Sequence, residues 1–447
     1  MVAKKIQGTG FSPALLAQKK AWHLTGATIE ALPSPHVFIP LHQHIGAPTS
    51  SVVKIGDTVQ KGQLLGASEQ FVSANVHASV SGKIVDEILW PDSNNQQSTV
   101  LVVENDFQEE TCYGTTPDMW TELPNEEILQ RIQNAGIVGK GGATFPTHIK
   151  LSVPYGSLTT LVINGAECEP FLQSDDYLMQ QSAPEIITSA KIVEKLIGVE
   201  KIVVGIEEDK PEALSAMKKA SASWPNFSVV PLPVFYPEGG EKQLIKALLN
   251  QEVPLGALPS ALGVIVLNVA TLFAIYEAVT LKKPLVERIT TVTGNVAQPK
   301  IFRVPLGTPV GALIDACGGL DVDVNQVLLG GPMMGRSISS LAVPITKGTN
   351  GVVALNARLN PATTETPCIR CNRCVVECPM GLMPLLLDHY YRKGDFQRLA
   401  QLQVEACINC GVCTYTCPAK RDLASNITKA KGIVAQLRKE AESDGKK

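Results

Sequence analysis

Two cysteine runs near the C-terminus constrain this chain more than any other feature. The first reads Cys368-Ile-Arg-Cys371-Asn-Arg-Cys374-Val-Val-Glu-Cys378-Pro379, and the second reads Cys407-Ile-Asn-Cys410-Gly-Val-Cys413-Thr-Tyr-Thr-Cys417-Pro418. Both follow C-x2-C-x2-C-x3-C-P. At that spacing three thiolates wrap one [4Fe–4S] cubane while the fourth is aimed at a second cluster. Cys368, Cys371, Cys374 and Cys417 are therefore expected to hold one cluster, and Cys407, Cys410, Cys413 and Cys378 the other. Each proline ends its loop and turns the chain. Structural zinc also favours paired cysteines, but it needs only one tetrahedral set. Two four-cysteine runs closed by proline fit the clusters instead, and clusters imply electron transfer.

The insert from Met380 to Ala406 carries two helical stretches, starting at Pro384 and at Phe396. A helical two-cluster module is expected, similar to the iron–sulfur subunits of the succinate dehydrogenase type. His389 in the first stretch reads as a surface side chain. The other three of the eleven cysteines, Cys112, Cys168 and Cys317, read as buried thiols. No apolar run follows Lys4 and Lys5, so no secretory leader is expected, and disulfides are not. A formal charge of −3 argues against a nucleic-acid partner. The uncharged stretch between Glu252 and Glu277 is long enough to raise a membrane span. Pro254, Gly256, Pro259, Ser260, Gly263 and Asn268 break it into a turn, a buried strand and a helix.

Between about 111 and 284, short apolar runs alternate with helical patterns. Strands are expected at Leu158–Asn164, Lys201–Ile206, Ser228–Val234 and Gly263–Val269. Helices are expected at Asn125–Ala135, Pro184–Leu196, Lys210–Lys219, Glu241–Leu249 and Thr271–Leu281. This alternation predicts a mainly parallel, Rossmann-like α/β sheet with its ligand at the C-terminal strand ends. Two segments there carry chemistry. Gly139-Lys-Gly-Gly-Ala-Thr-Phe-Pro-Thr-His-Ile-Lys150 lets backbone approach a phosphate or a flat ring, with Lys140 and Lys150 adding charge and Phe145 able to stack. Ile163-Asn-Gly-Ala-Glu-Cys-Glu-Pro170 ends a strand with Asn164, Glu167 and Glu169, side chains suited to a flavin or a ribose. Each taken alone is also what an ordinary turn or βα loop looks like. Beside iron–sulfur clusters they point to a flavin, the usual converter between hydride and single electrons.

Residues 31–110 read as all-β, a sandwich-barrel of the lipoyl and biotinyl type. The acceptor lysine is missing from the hairpin tip at His77–Gly82, so a docking module is expected rather than a swinging arm. His42 and His44 have no third metal ligand in view and read as solvent-facing side chains on a strand. Residues 285–357 hold a strand pair and a short helix, a β-grasp-like pattern. Gly330-Gly-Pro-Met-Met-Gly335 reads as packing. Residues 1–30 form an N-terminal arm and 358–447 the cluster domain.

GKGGATFPTHIK, NGAECEP, Tyr236-Pro-Glu-Gly-Gly-Glu241 and Asn268-Val-Ala-Thr-Leu272 resemble the flavin- and NADH-binding segments of the complex I flavoprotein family. With the double cysteine run added, the chain resembles, over nearly its whole length, the C-subunit family of the Rnf complex, the ion-translocating ferredoxin:NAD oxidoreductase. The resemblance implies that Gly139, Gly141, Gly142, Lys150, Asn164, Glu167 and Asn268 surround FMN. It places Phe145, Glu169, Tyr236 and Glu241 near the nicotinamide nucleotide, with Phe145 and Glu169 as the catalytic candidates. Lys140, Thr144, Ala166 and Cys168 depart from the complex I pattern. The implied protein is a peripheral oxidoreductase (translocase) subunit on the cytoplasmic face of a bacterial inner membrane. It would carry electrons between NAD(H), FMN, two [4Fe–4S] clusters and partner subunits, and through them ferredoxin. Alternatives are a flavo-iron–sulfur cobalamin reductase, whose flavin domain comes first, and a non-catalytic electron-carrying adaptor.

Overall fold

In a computed structural model of the chain, the described residues are 24, 27–360 and 364–444. The expected N-terminal arm lies mostly outside them.

Four parallel strands build the middle of the molecule, in the order Phe227–Leu232, Lys201–Glu207, Thr160–Asn164, Val264–Asn268. Their centres read Leu161-Val-Ile and Ile202-Val-Val, β-branched and aliphatic residues that are buried on both faces. That is the pattern of a parallel sheet covered by helices. Helices Asn125–Asn134, Ala183–Ile197, Pro211–Ser221, Glu241–Leu249 and Val269–Leu281 supply the cover. Ala183–Ile197 has Pro184 in its first turn and stops at Gly198, whose φ of +76° closes the helix without a Cβ clash. Every expected strand and helix is present within a few residues. Two short helices, Thr147–Leu151 and Ser174–Gln181, were not expected. The strand register sets Asn164 beside Asn268 at the C-terminal edge. The membrane-span alternative fails in favour of the turn, strand and helix, and no helix among the described residues is long and apolar enough to cross a membrane.

The N-terminal domain is two small sheets, His36–Pro40 with Gln97–Asn105, Gly82–Pro91 and Thr58–Val59, and Ser50–Ser51 with Leu64–Ala67 and Val76–His77. They close on Val37, Ile39, Leu65, Val76, Ile84 and Val103. The hairpin tip expected at His77–Gly82 is buried, and Ser79 Oγ donates to the Leu306 carbonyl at 2.5 Å. Small residues are needed there because another domain covers them. Two expectations need correction here. His42 and His44 follow the strand instead of sitting on it, and His44 is buried with its Nε2 accepting the Ala74 amide. Burial pushes His44 down to about 4. Cys112 is exposed, whereas Cys168 and Cys317 are buried.

The β-grasp-like domain is a six-stranded sheet, ordered Ile29–Ala31, Lys300–Pro305, Glu287–Gly294, Gly351–Asn356, Val324–Leu329, Arg336–Ile338, with helix Val310–Ala316 packed on it. Its edge strand comes from residues 29–31, far away in sequence. Lys347 staples three domains. It is fully buried, and its ammonium nitrogen donates to the carbonyls of Asn75 (2.6 Å) and Gly136 (2.8 Å).

The C-terminal domain is helical, as the insert pattern predicts: Pro384–Lys393, Phe396–Gln401 and a 22-residue helix, Leu423–Asp444. The buried carboxylate of Asp388 accepts hydrogen bonds from Arg392, Arg421 and Asn426, tying the insert to the chain after the second run.

Candidate functional site

The cysteine runs fold into two near-copies of one loop. Arg370 and Asn409 share a left-handed φ (57° and 58°), as do Asn372 and Gly411 (60° and 78°) and Gly381 and Lys420 (63° and 54°). A four-residue helix follows in each, Arg373–Val376 and Val412–Tyr415. The thiols sort across the runs. Cys374 lies in the field of Cys417, Cys368 and Cys371, and these four line one cavity. Cys410 and Cys413 lie with Cys407 and with Cys378 of the other run. Four thiols spread around a volume fit a cubane. Burial pushes the Cys410 thiol up to about 11, and a cluster bound there would hold it as the thiolate.

The two sets stand in different surroundings. Cys368 and Cys371 are exposed, whereas Cys410 is buried. Tyr236, on the loop after strand Phe227–Leu232, is buried and donates its hydroxyl to the Cys410 carbonyl at 2.8 Å. Burial, then the nearby Glu169 carboxylate, holds that phenol above its ordinary range. Cys168, Val412, Ile408 and Met333 complete the apolar join. Gly411 is pressed against the Met333 carbonyl, which would lie 2.5 Å from any Cβ at that position. Gln243 Nε2 also reaches Met380 Sδ at 3.1 Å.

The glycine loop sits at the edge where Asn164 and Asn268 end their strands. A Cβ on Gly141 would meet Asn268 Cβ at 3.4 Å, and Gly142 has φ +119° with open space beside it. Thr144 holds φ +50° at the position where the complex I pattern has glycine, and its methyl packs on Gly348. This cradle of bare backbone and strand-end amides fits a flavin mononucleotide. Asn268 caps helix Val269–Leu281 by accepting the Ala270 amide and donates to Asp175 (2.6 Å). Asn164 donates to Gly239. Lys150 reaches Glu241 at 3.2 Å and the Val266 carbonyl at 2.7 Å, so two segments paired by resemblance do meet. The Phe145 carbonyl closes the loop by accepting the Gly139 amide.

Two predicted residues have structural duties. Glu167 is buried and accepts from Ser174 Oγ and the amides of Asp175 and Asp176, fixing the start of helix Ser174–Gln181. Burial and the Asp175 charge push its carboxyl up to about 7. Glu169 accepts the amides of Met333 and Met334 at 3.1 and 2.7 Å. In the Gly330–Gly335 loop Met333 packs on the second cysteine loop as expected, and the loop's backbone also bridges Glu169 and Gly411.

Sequence reasoning missed the layer beneath. Arg288, in the β-grasp strand, is buried and donates to the Lys140 carbonyl at 2.6 Å and to the Thr349 carbonyl. Thr271 Oγ1 accepts the Lys140 amide. Burial, then Arg288, pushes Lys140 down to about 7. The one available signal was an arginine directly before the uncharged run Ile289–Gly294 of a strand.

Four family models match the chain: the RnfC barrel sandwich hybrid domain (16–108), the Nuo51 FMN-binding domain (132–277), the SLBB domain (289–337) and a 4Fe-4S dicluster domain (367–421). Among curated proteins, the chain is 44% identical over 373 residues to the C-subunit of the proton-translocating ferredoxin:NAD(+) oxidoreductase complex of Clostridium ljungdahlii. That match covers 83% of this chain and 81% of the relative. It is 41% identical to the C-subunit of the Na(+)-translocating ferredoxin:NAD(+) oxidoreductase complex of Acetobacterium woodii, covering 90% and 92%. A crystal structure of an NAD+-reducing [NiFe]-hydrogenase shares the fold at a TM-score of 0.52 and 20% identity, over 72% of this chain and 65% of that one.

Proposed function

This chain belongs to the C-subunit family of ion-translocating ferredoxin:NAD(+) oxidoreductase complexes, and from that premise we propose that it is the peripheral subunit where nicotinamide chemistry meets single-electron transfer. The observation that carries the reading is the join between the domains. One cysteine set is bonded to the flavin-type domain through Tyr236 and Cys410, and the other opens to the surface. FMN, when bound, supplies the exchange between a hydride and the single electrons that iron–sulfur clusters take.

Gly139, Gly141, Gly142, Lys150, Asn164 and Asn268 hold the flavin, with Glu167 acting from behind by fixing its helix. Phe145 and Glu241 face the nucleotide. Glu169 and Tyr236 sit at the boundary between the nucleotide and the second cysteine loop. Cys407, Cys410, Cys413 and Cys378 hold the cluster nearer the flavin. Cys368, Cys371, Cys374 and Cys417 hold the outer one. The partners are the other subunits of a membrane complex, with ferredoxin reached through them, and the site lies on the cytoplasmic face. The cobalamin reductase alternative is disfavoured because the barrel precedes the flavin domain here.

The test is anaerobic reconstitution followed by cofactor analysis and NADH addition. About one FMN per chain, bleached by NADH, is expected. A chain that takes up iron and sulfide but no flavin, and ignores NADH, is the adaptor instead.

A further inference from the structure

The two cysteine loops share one backbone course, yet they end in opposite surroundings. In the second loop, Ile408, Cys410 and Val412 pack against Cys168, Tyr236 and Met333 of this same chain. Its eleven residues carry no charge, and Gly411 is required by the Met333 carbonyl. In the first loop the same places are taken by Ile369, Cys371, Asn372 and Arg373, and all four are exposed, Ile369 at 67%. Arg370 is exposed too. Along the loop, two arginines stand against one glutamate, the half-buried Glu377. The neighbouring Glu365 is already paired with Arg392 and Arg421. The face that docks a redox domain in one copy is thus repeated in the other, unfilled by any of the described residues, with an apolar centre and a basic rim.

We propose that the Cys368–Cys374 loop is the electron port of the subunit. Its occupant is an acidic protein that carries its own iron–sulfur cluster close to its surface. Ile369 supplies the apolar contact that Ile408 supplies within the chain. Arg370 and Arg373 meet carboxylates, steer the encounter and fix its register. Each encounter passes one electron, lost by one cluster-bearing protein and gained by the other. The inference rests on the reading of the chain as an electron-transfer subunit of a complex.

The experiment uses the intact complex. A photo-cross-linking residue at position 369 is activated in the purified assembly, and the captured neighbour is identified by mass spectrometry. A cluster-bearing subunit with an acidic face is expected. A neighbour without a redox centre, or no cross-link, overturns the proposal. In parallel, R370E/R373E should slow NAD+ reduction by reduced ferredoxin in the complex about tenfold or more and flatten its salt dependence. R370K/R373K should restore both. EPR of the isolated variant should still show both clusters reduced by NADH. Unchanged rate and salt slope in the charge-reversed complex would contradict the port. Failure of NADH to reduce clusters even in the parent chain would instead remove the functional reading beneath it.

Discussion

Cys378 belongs to the first cysteine run by sequence and to the second set by position. Cys378→Ser should therefore abolish the EPR signal of the cluster held by Cys407, Cys410 and Cys413. Cys417→Ser should abolish the other. Each variant should fall from about eight irons per chain to about four. Loss of the same signal in both variants would contradict the crossed ligation. The cluster domain was legible because the spacing of its cysteine runs is local and chemically narrow. Lys347 was not. Its partners Asn75 and Gly136 lie 272 and 211 residues away, and only the fold brings them together. Burial lowers Lys347 from 10.5 to about 7. A neutral amine still has two hydrogens for its two carbonyls. Between those values the unfolded chain binds the proton and the folded chain does not, so this group makes stability rise with pH. Below about 7 its penalty is present in full. The melting temperature of the parent chain should therefore gain on that of Lys347→Met between about pH 7 and about pH 10. A constant difference across that range would show that the lysine stays charged in the fold.

Asn268 joins two elements, capping one helix and holding Asp175 at the start of another. Asn268→Ala removes both bonds. It should cost about 1 kcal/mol of stability through the cap alone and weaken FMN retention. Asn268→Asp keeps a capping oxygen but sets a carboxylate against Asp175. It should keep the cap, melt below the parent through the carboxylate pair, and still lose flavin. Fluorescence of flavin released on dialysis, read beside the melting curve, separates the two effects. Equal flavin retention in all three proteins would remove Asn268 from the cradle. At this scale the sequence was most readable in the central sheet, whose apolar strand centres and proline- and glycine-bounded helices repeat a simple period. It was least readable where a neighbouring domain overrides local pattern. His77–Gly82 read as the hairpin tip of a lipoyl-type module, with nothing in it to show that it is buried. Its residues are small because Leu306 and its neighbours press on them. The strand Ile29–Ala31 escaped because three residues carry no period, and its partner is Ile301–Arg303.

The whole molecule depends on one domain contact, the seat of the second cysteine loop on Tyr236 and Met333. Both sides of that contact were visible as motifs, but their meeting was not, since Tyr236 and Cys410 stand 174 residues apart. Gly411 has no room for a side chain. Gly411→Asn, the residue the first loop carries at the same left-handed position, should therefore leave FMN content, iron content and flavin bleaching by NADH intact while cutting cluster reduction by about tenfold or more, read by stopped flow. Equal rates would mean the seat is not the route. The most direct test of the account is rapid-freeze EPR after mixing the reconstituted chain with NADH, with each cluster signal assigned through the Cys378→Ser and Cys417→Ser variants. The account predicts that flavin bleaching comes first, the cluster of Cys407, Cys410, Cys413 and Cys378 next, and the cluster of Cys368, Cys371, Cys374 and Cys417 last. Reduction of the outer cluster ahead of the inner one, or of either cluster without the flavin, would contradict it.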